Sequence, residues 1–287
     1  MLKRYIVMPT LQWFSLSPQI SSVGATAALL LVTLFTPSAA QTVSDLDSSR
    51  RGCRSAQADA ALVTRTIRQI SVRILNQESA GSGVIIAQQG QTYTVITNAH
   101  VVAGLSNPFS ILTSDGQTHS GRWLNERQFH SHDLALIQFT SNRSYAIAEL
   151  SQDDSRLSET AYAAGFPNWR LLDSTRLEET IASGFQAFQL SIGRVEMLLP
   201  KPLEQGYQLG YTNDIDPGMS GGPVLNCNAQ LIGLNGKLQH PLQGREAFHF
   251  ADGTVPSEAL FQQMESLSWA IPSATIRQVL EQSMPSH

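Results

Sequence analysis

The sequence predicts an all-β fold, a barrel or a sandwich, closed by a single C-terminal helix. Two observations carry this. From residue 71 onward, short runs rich in Val, Ile, Leu, Tyr and Thr alternate with turn-forming residues, the pattern of many short strands. Near the end, 272–282 reads PSATIRQVLEQ. It sets Ile276, Val279 and Leu280 at helical spacing, with Pro272 suited to a first turn. Length decides less: the chain has 287 residues, room for one large β domain or two small ones.

The first forty residues stand apart. Lys3 and Arg4 are their only charges, and Val23 to Phe35 is an uninterrupted run of apolar, small and Thr residues. A membrane span needs about 20 residues, so this run is short for one. Ser38-Ala39-Ala40 follows. A basic start, a short apolar centre and a small-residue end read as a secretory signal peptide over 1–40, cut after Ala40. The alternative is an uncleaved anchor. Cleavage leaves 17 of the 19 Lys and Arg against 23 Asp and Glu, a net charge of −6. That argues against nucleic acid as a partner, since phosphate binding needs a basic face. A hydrophobic content of 42% excludes wholesale disorder. No later apolar run reaches membrane length, so no stable insertion is expected once the signal is removed.

Residues 41–69 form a polar lead or a removable propeptide, with a short helix expected over 56–70. Strands are expected over 71–75, 83–87, 93–97, 110–113, 134–139, 161–164, 207–211 and 231–234. Turn signals such as Ser114-Asp115-Gly116 and Asn226-Cys227-Asn228 punctuate them. The polar stretch 142–157 is a linker between two β halves, about 70–145 and 155–271. A helix over 272–283 follows, after which only a few residues remain, so no appended recognition module is expected.

Two cysteines, Cys53 and Cys227, are present. An oxidising setting allows them to pair, although sequence alone does not bring them together. Neither belongs to a CxxC pair, so zinc is not expected. His130 and His132 would face one side of a strand, but no third metal ligand is indicated. Gly81-Ser82-Gly83 lacks the Lys and helix of a phosphate loop and reads as a strand-entry turn.

Three segments carry chemistry. TNAHVV (97–102) ends an expected strand and contains His100. HDLALI (132–137) places Asp133 at the opening of a buried strand. DPGMSGGPV (216–224) sets Ser220 among glycines. A serine hydroxyl needs an adjacent base to act as a nucleophile. Imidazole can supply that base, and a carboxylate can fix its tautomer. The glycine-rich turn lets backbone N–H groups of Gly218 and Ser220 point at one spot, where an oxyanion can form.

These three segments, in this order, resemble the signature segments of trypsin-like (chymotrypsin-fold) serine peptidases. The likeness is nearest the compact bacterial secreted type, close to glutamyl endopeptidases and high-temperature-requirement proteases. It extends from about Ile70 to the C-terminal helix. It implies two perpendicular six-stranded β-barrels with the site between them. It also implies a serine endopeptidase acting on protein or peptide substrates without metal or cofactor. His100 would be the general base, Asp133 its orienting acid, Ser220 the nucleophile, and Gly218 and Ser220 the oxyanion hole. The strand near Leu234, Asn235 and Gly236 would line the substrate pocket, with Gly236 leaving its mouth open. Asp214 lies six residues before Ser220, the spacing at which trypsin-like members place an acid that selects Arg or Lys; Asp216 competes for that role. Digestive relatives carry Asp immediately before the nucleophile, where it pairs with a new amino terminus. Met219 stands there instead, so activation by terminal insertion is not expected. Two rival readings use the same residues: an inactive homologue that only binds peptides, and an esterase. The α/β-hydrolase form of the latter is disfavoured, because Ser220 sits in GMSGG and not in a G-x-S-x-G elbow before a helix.

Overall fold

The computed structural model describes residues 56–75, 80–103, 105, 108–124, 129, 131–173 and 175–283. All of these lie in the unit Arg50–His287. The signal-peptide reading, residues 41–55, Cys53 and His130 lie outside the described residues.

Helix α1 (Ala56–Ile70) leads into β1 (Ser71–Leu75), β2 (Ala80–Gln89), β3 (Thr92–Thr97), the single turn α2 (Ala99–Val102), β4 (Phe109–Leu112), β5 (Thr118–Trp123) and β6 (Ala135–Thr140). These six strands close into a barrel in the order β1-β2-β3-β6-β5-β4. After an irregular crossing come β7 (Thr160–Gly165), β8 (Trp169–Asp173), β9 (Arg176–Glu179), β10 (Gln189–Leu198), β11 (Leu209–Tyr211), β12 (Pro223–Leu225) and β13 (Leu231–Lys237). Helix α3 (Glu258–Met264), β14 (Ser268–Pro272) and helix α4 (Ser273–Ser283) end the described chain. Six of these strands close a second barrel in the order β10-β11-β14-β13-β12-β7, and β8 and β9 pair only with each other.

Strand periodicity explains how the halves meet. Successive side chains point to opposite faces. Tyr93 and Val95 of β3 therefore fill the first barrel, whereas Ile96 joins a different cluster. On β7, Ala161 and Ala163 fill the second barrel, and Tyr162 and Ala164 join that same cluster as Ile96. The shared cluster also takes in Val63, Ile67 and Ile70 of α1 and Ile276 and Val279 of α4. A shared apolar cluster thus joins both barrels and both flanking helices. Helix α1 covers the stretch expected from sequence, and its buried face ties it to the barrels.

The differences from the expected elements have physical reasons. The expected strand over 207–211 begins at Leu209, because Leu203–Tyr207 forms a tight turn. The helix expected from Pro272 begins at Ser273, since Pro272 ends β14. Strand β10 gave no signal: Val195 is its single fully buried position. The described residues of the β8–β9 hairpin are exposed apart from the half-buried Glu178, and Trp169, Leu171 and Leu177 face solvent.

Candidate active site

His100 sits on α2, the single turn that follows β3. Asp133 lies two residues before β6, the strand that pairs with β3, so the ladder of the first barrel sets the two side by side. Asp133 is almost fully buried, and it receives His100 twice. The His100 backbone N–H donates to Oδ1 at 2.9 Å, and ring Nδ1 meets Oδ2 at 2.5 Å. Asn98 Nδ2 donates to the Asp133 carbonyl at 2.8 Å. Burial alone would raise the Asp133 pKa. The hydrogen bonds and charge of His100, with a hydrogen bond from Tyr207, outweigh that and hold it below the usual carboxylate value. An ionised carboxylate only accepts, so Nδ1 carries a proton, and in the neutral imidazole Nε2 is the acceptor. The His100 side chain is half exposed.

Ser220 lies on the turn before β12. Strands cross-brace that turn: Gly221 N–H donates to the Asn235 carbonyl at 2.9 Å, and the Asn235 N–H to the Gly222 carbonyl at 2.9 Å. The first barrel braces it as well. Ser82 N–H donates to the Ser220 carbonyl at 2.9 Å, and Ser82 Oγ to the Gly218 carbonyl at 2.8 Å. Thr97 Oγ1 in turn donates to the Ser82 carbonyl at 2.7 Å. Ser82 therefore joins the serine turn to the strand leading into His100. Sequence reasoning read Gly81-Ser82-Gly83 as a strand-entry turn and missed this role; the partners on the serine turn lie more than a hundred residues away.

Gly218 has φ +101, and a Cβ there would lie 2.5 Å from the Phe166 carbonyl, so only glycine fits. The Pro217 carbonyl accepts from Asn168 N–H at 2.8 Å. This fixes the peptide that carries the Gly218 N–H. Among the described residues, neither the Gly218 nor the Ser220 N–H donates to a protein acceptor. Ser220 Oγ donates to the Gly236 carbonyl at 3.4 Å and has no other partner among the described residues. Its bond to His100 is not formed in this arrangement; such bonds often tighten only when substrate binds.

Leu234 and Asn235 do not form an open edge. Both are fully buried. Leu234 pairs with Pro223 on one side and Ile271 on the other. The Asn235 side chain binds inward, to the Ala164 carbonyl and to Tyr211. Gly236 also has a different reason from an open pocket mouth: a Cβ there would lie 2.1 Å from the Tyr207 ring. Asp214 is exposed and accepts from Gln239 at 3.2 Å. Asp216 is half-buried, accepts from Gln189 at 3.4 Å, and has its pKa raised by burial and by the Asp214 charge. Met219 is buried in the second barrel. Cys227 is disulfide-bonded, and Cys53 is the other cysteine of the sequence. His132 Nδ1 pairs with Ser131 Oγ at 2.9 Å. Among the described residues no group of three or more His, Cys, Asp or Glu could hold a metal ion.

Residues 81–234, more than half of the chain, match the family model described as a trypsin-like peptidase domain. The chain belongs to that family. Among trypsin-like peptidases it is 29% identical over 161 residues to the serine protease Do-like HtrA of Bacillus subtilis, covering 55% of this chain and 33% of that protein. It is 28% identical over 168 residues to the putative serine protease HhoB of Synechocystis, covering 58% and 36%. A serine protease HtrA-like of Staphylococcus aureus is 26% identical over 213 residues, covering 72% and 24%. The aligned part thus spans about a third or less of these relatives. In fold, the chain resembles the serine endoprotease from Yersinia pestis with a TM-score of 0.54 and 17% identity, over 77% of this chain and 65% of that one.

Proposed function

We propose that this chain is an exported serine endopeptidase in which His100, Asp133 and Ser220 act as a triad. The observation that carries the reading is the double grip of Asp133 on His100, which fixes the Nδ1–H tautomer and makes Nε2 the base of the neutral imidazole, with Gly218 and Ser220 N–H groups that have no protein acceptor among the described residues. Ser220 Oγ attacks a peptide carbonyl while His100 Nε2 takes its proton. The carbonyl oxygen becomes an oxyanion held by the Gly218 and Ser220 N–H groups. His100 returns the proton to the leaving amine as the acyl-enzyme forms, and then activates water to release the product. Family membership supports this reading. The buried thioether of Met219 offers no anion to a new amino terminus, so activity needs no such insertion. Export is supported by the basic, then apolar, amino-terminal segment and by the disulfide at Cys227, a bond that persists in oxidising compartments.

One observation favours the peptide-binding rival: Ser220 Oγ rests on the Gly236 carbonyl and not on His100. Digestion of a mixed peptide library by the wild type and by Ser220→Ala separates the two. The peptidase reading expects cleavage that the substitution abolishes; retention of peptides without cleavage by either protein contradicts it. Sequencing the amino terminus of the exported protein tests the cut after Ala40.

A further inference from the structure

The catalytic acid comes from the first barrel, but a turn of the second barrel encloses it. Leu203–Tyr207 is closed by the Leu203 N–H, which donates to the Tyr207 carbonyl at 2.8 Å. Gln205, a non-glycine residue, takes a left-handed φ of +66 there, a conformation that costs energy outside glycine. It turns the Gln205 carbonyl toward Asp133, whose N–H donates to it at 2.9 Å. Two residues on, the Tyr207 hydroxyl donates to Asp133 Oδ2, the oxygen that also meets His100 Nδ1. Tyr207 is fully buried. The missing side chain at Gly236 is what admits its ring, and Lys237 Nζ lies 5.1 Å from the ring centroid. A cation over an aromatic face is attracted by the ring quadrupole, which favours this ring position.

We propose that Tyr207 is a positioning residue for catalysis: its hydroxyl fixes the Asp133 carboxylate toward His100, and it does so only when the two barrels are docked. The kinetic part of this rests on the peptidase reading above; the geometric part does not. The charged and titratable groups around the carboxylate are His100 on α2, His132 beside it, Tyr207 and Glu204 on the turn, and Lys237 at the end of β13. Of these, His100 and Tyr207 hydrogen-bond to it. Burial and the Asp133 charge push the Tyr207 pKa far above the usual tyrosine value, so it stays a donor at all working pH. Without that donor the carboxylate protonates at higher pH and concentrates its remaining charge on the His100 N–H.

Tyr207→Phe removes the hydroxyl and keeps the ring. Tyr211→Phe is the matched control, since Tyr211 is equally buried and its hydroxyl donates to Asn235 at 2.7 Å instead. Three readouts apply: kcat and KM on a peptide substrate, the pH–rate profile, and the low-field proton resonance of His100 Nδ1–H. For Tyr207→Phe we expect kcat to fall about 10- to 100-fold, the worth of one hydrogen bond to a charged group, with KM nearly unchanged. The acidic limb should move to higher pH and the His100 resonance should shift. Tyr211→Phe should leave the limb and the resonance in place. Unchanged kcat, limb and resonance in Tyr207→Phe would overturn the proposal, as would equal changes in both variants. A wild type that hydrolyses nothing, but whose His100 resonance shifts in Tyr207→Phe alone, would refute the peptidase reading and leave the positioning role standing.

Discussion

In the proposed site the two barrels contribute different kinds of chemistry. The first supplies side chains: the imidazole of His100 and the carboxylate of Asp133, set by the pairing of β3 with β6. Its core is mostly Val and Ile, with Tyr93 stacked on Phe139 at 5.2 Å among them. The second supplies Ser220, and otherwise mostly backbone: the N–H groups of Gly218 and Ser220, and the carbonyl of Gly236. Small residues such as Ala161, Ala163 and Ala270 fill much of its core. The contrast shows which parts of such a site mutagenesis can probe directly. Side-chain roles are removed by substitution, whereas backbone roles are reached only by changing the residue that permits the conformation.

Asp133→Asn tests the side-chain half and carries the largest expected loss here. The amide can donate to His100 and stabilise the wrong tautomer, so kcat should fall by about 10⁴ at neutral pH. Steady-state kinetics on a peptide substrate will show it, and a loss under tenfold would mean that Asp133 does not orient His100. Gly218→Ala tests the backbone half. The added methyl meets the Phe166 carbonyl at a positive φ, so the turn must shift and one oxyanion donor is lost, at a cost of about 10²–10³ in kcat. If burst kinetics show acylation at the wild-type rate, the Gly218 N–H is not part of the hole.

That division also explains what the sequence made legible. TNAHVV, HDLALI and GMSGGPV were legible as segments because each holds its distinctive residues in local order, and the resemblance supplied the roles proposed for them. The double barrel followed from those segments together, since short strands alone left barrel and sandwich open. The Ser82 bridge and the Tyr207 bond were not readable: each joins residues far apart in sequence, and neither Ser82 nor Tyr207 sits in a motif that names its partner. The resemblance placed Leu234, Asn235 and Gly236 on the pocket strand; the structure buries the Leu234 and Asn235 side chains in the barrel wall. Strand β10 was missed because Leu190, Ile192 and Leu198 stand on its more exposed face, so apolar and polar residues do not alternate with burial.

Stability gives the smaller effects. Ile67 on α1 is fully buried in the cluster joining the barrels, so Ile67→Ala should cost about 2–5 kcal/mol in denaturant unfolding. Leu171 on the β8–β9 hairpin is 63% exposed, and Leu171→Ala should change stability by no more than about 0.5 kcal/mol. Equal losses at the two sites would show that the hairpin is packed in solution and that α1 is not integral to the fold.

The central claim is that His100, held by Asp133, activates the hydroxyl of Ser220. Incubation of the folded, exported protein with a fluorophosphonate, followed by peptide mass mapping, tests it most directly. The account predicts a single adduct on Ser220, absent in Ser220→Ala and strongly slowed in Asp133→Asn. A folded protein that takes up no probe, or takes it up at another residue, would contradict it.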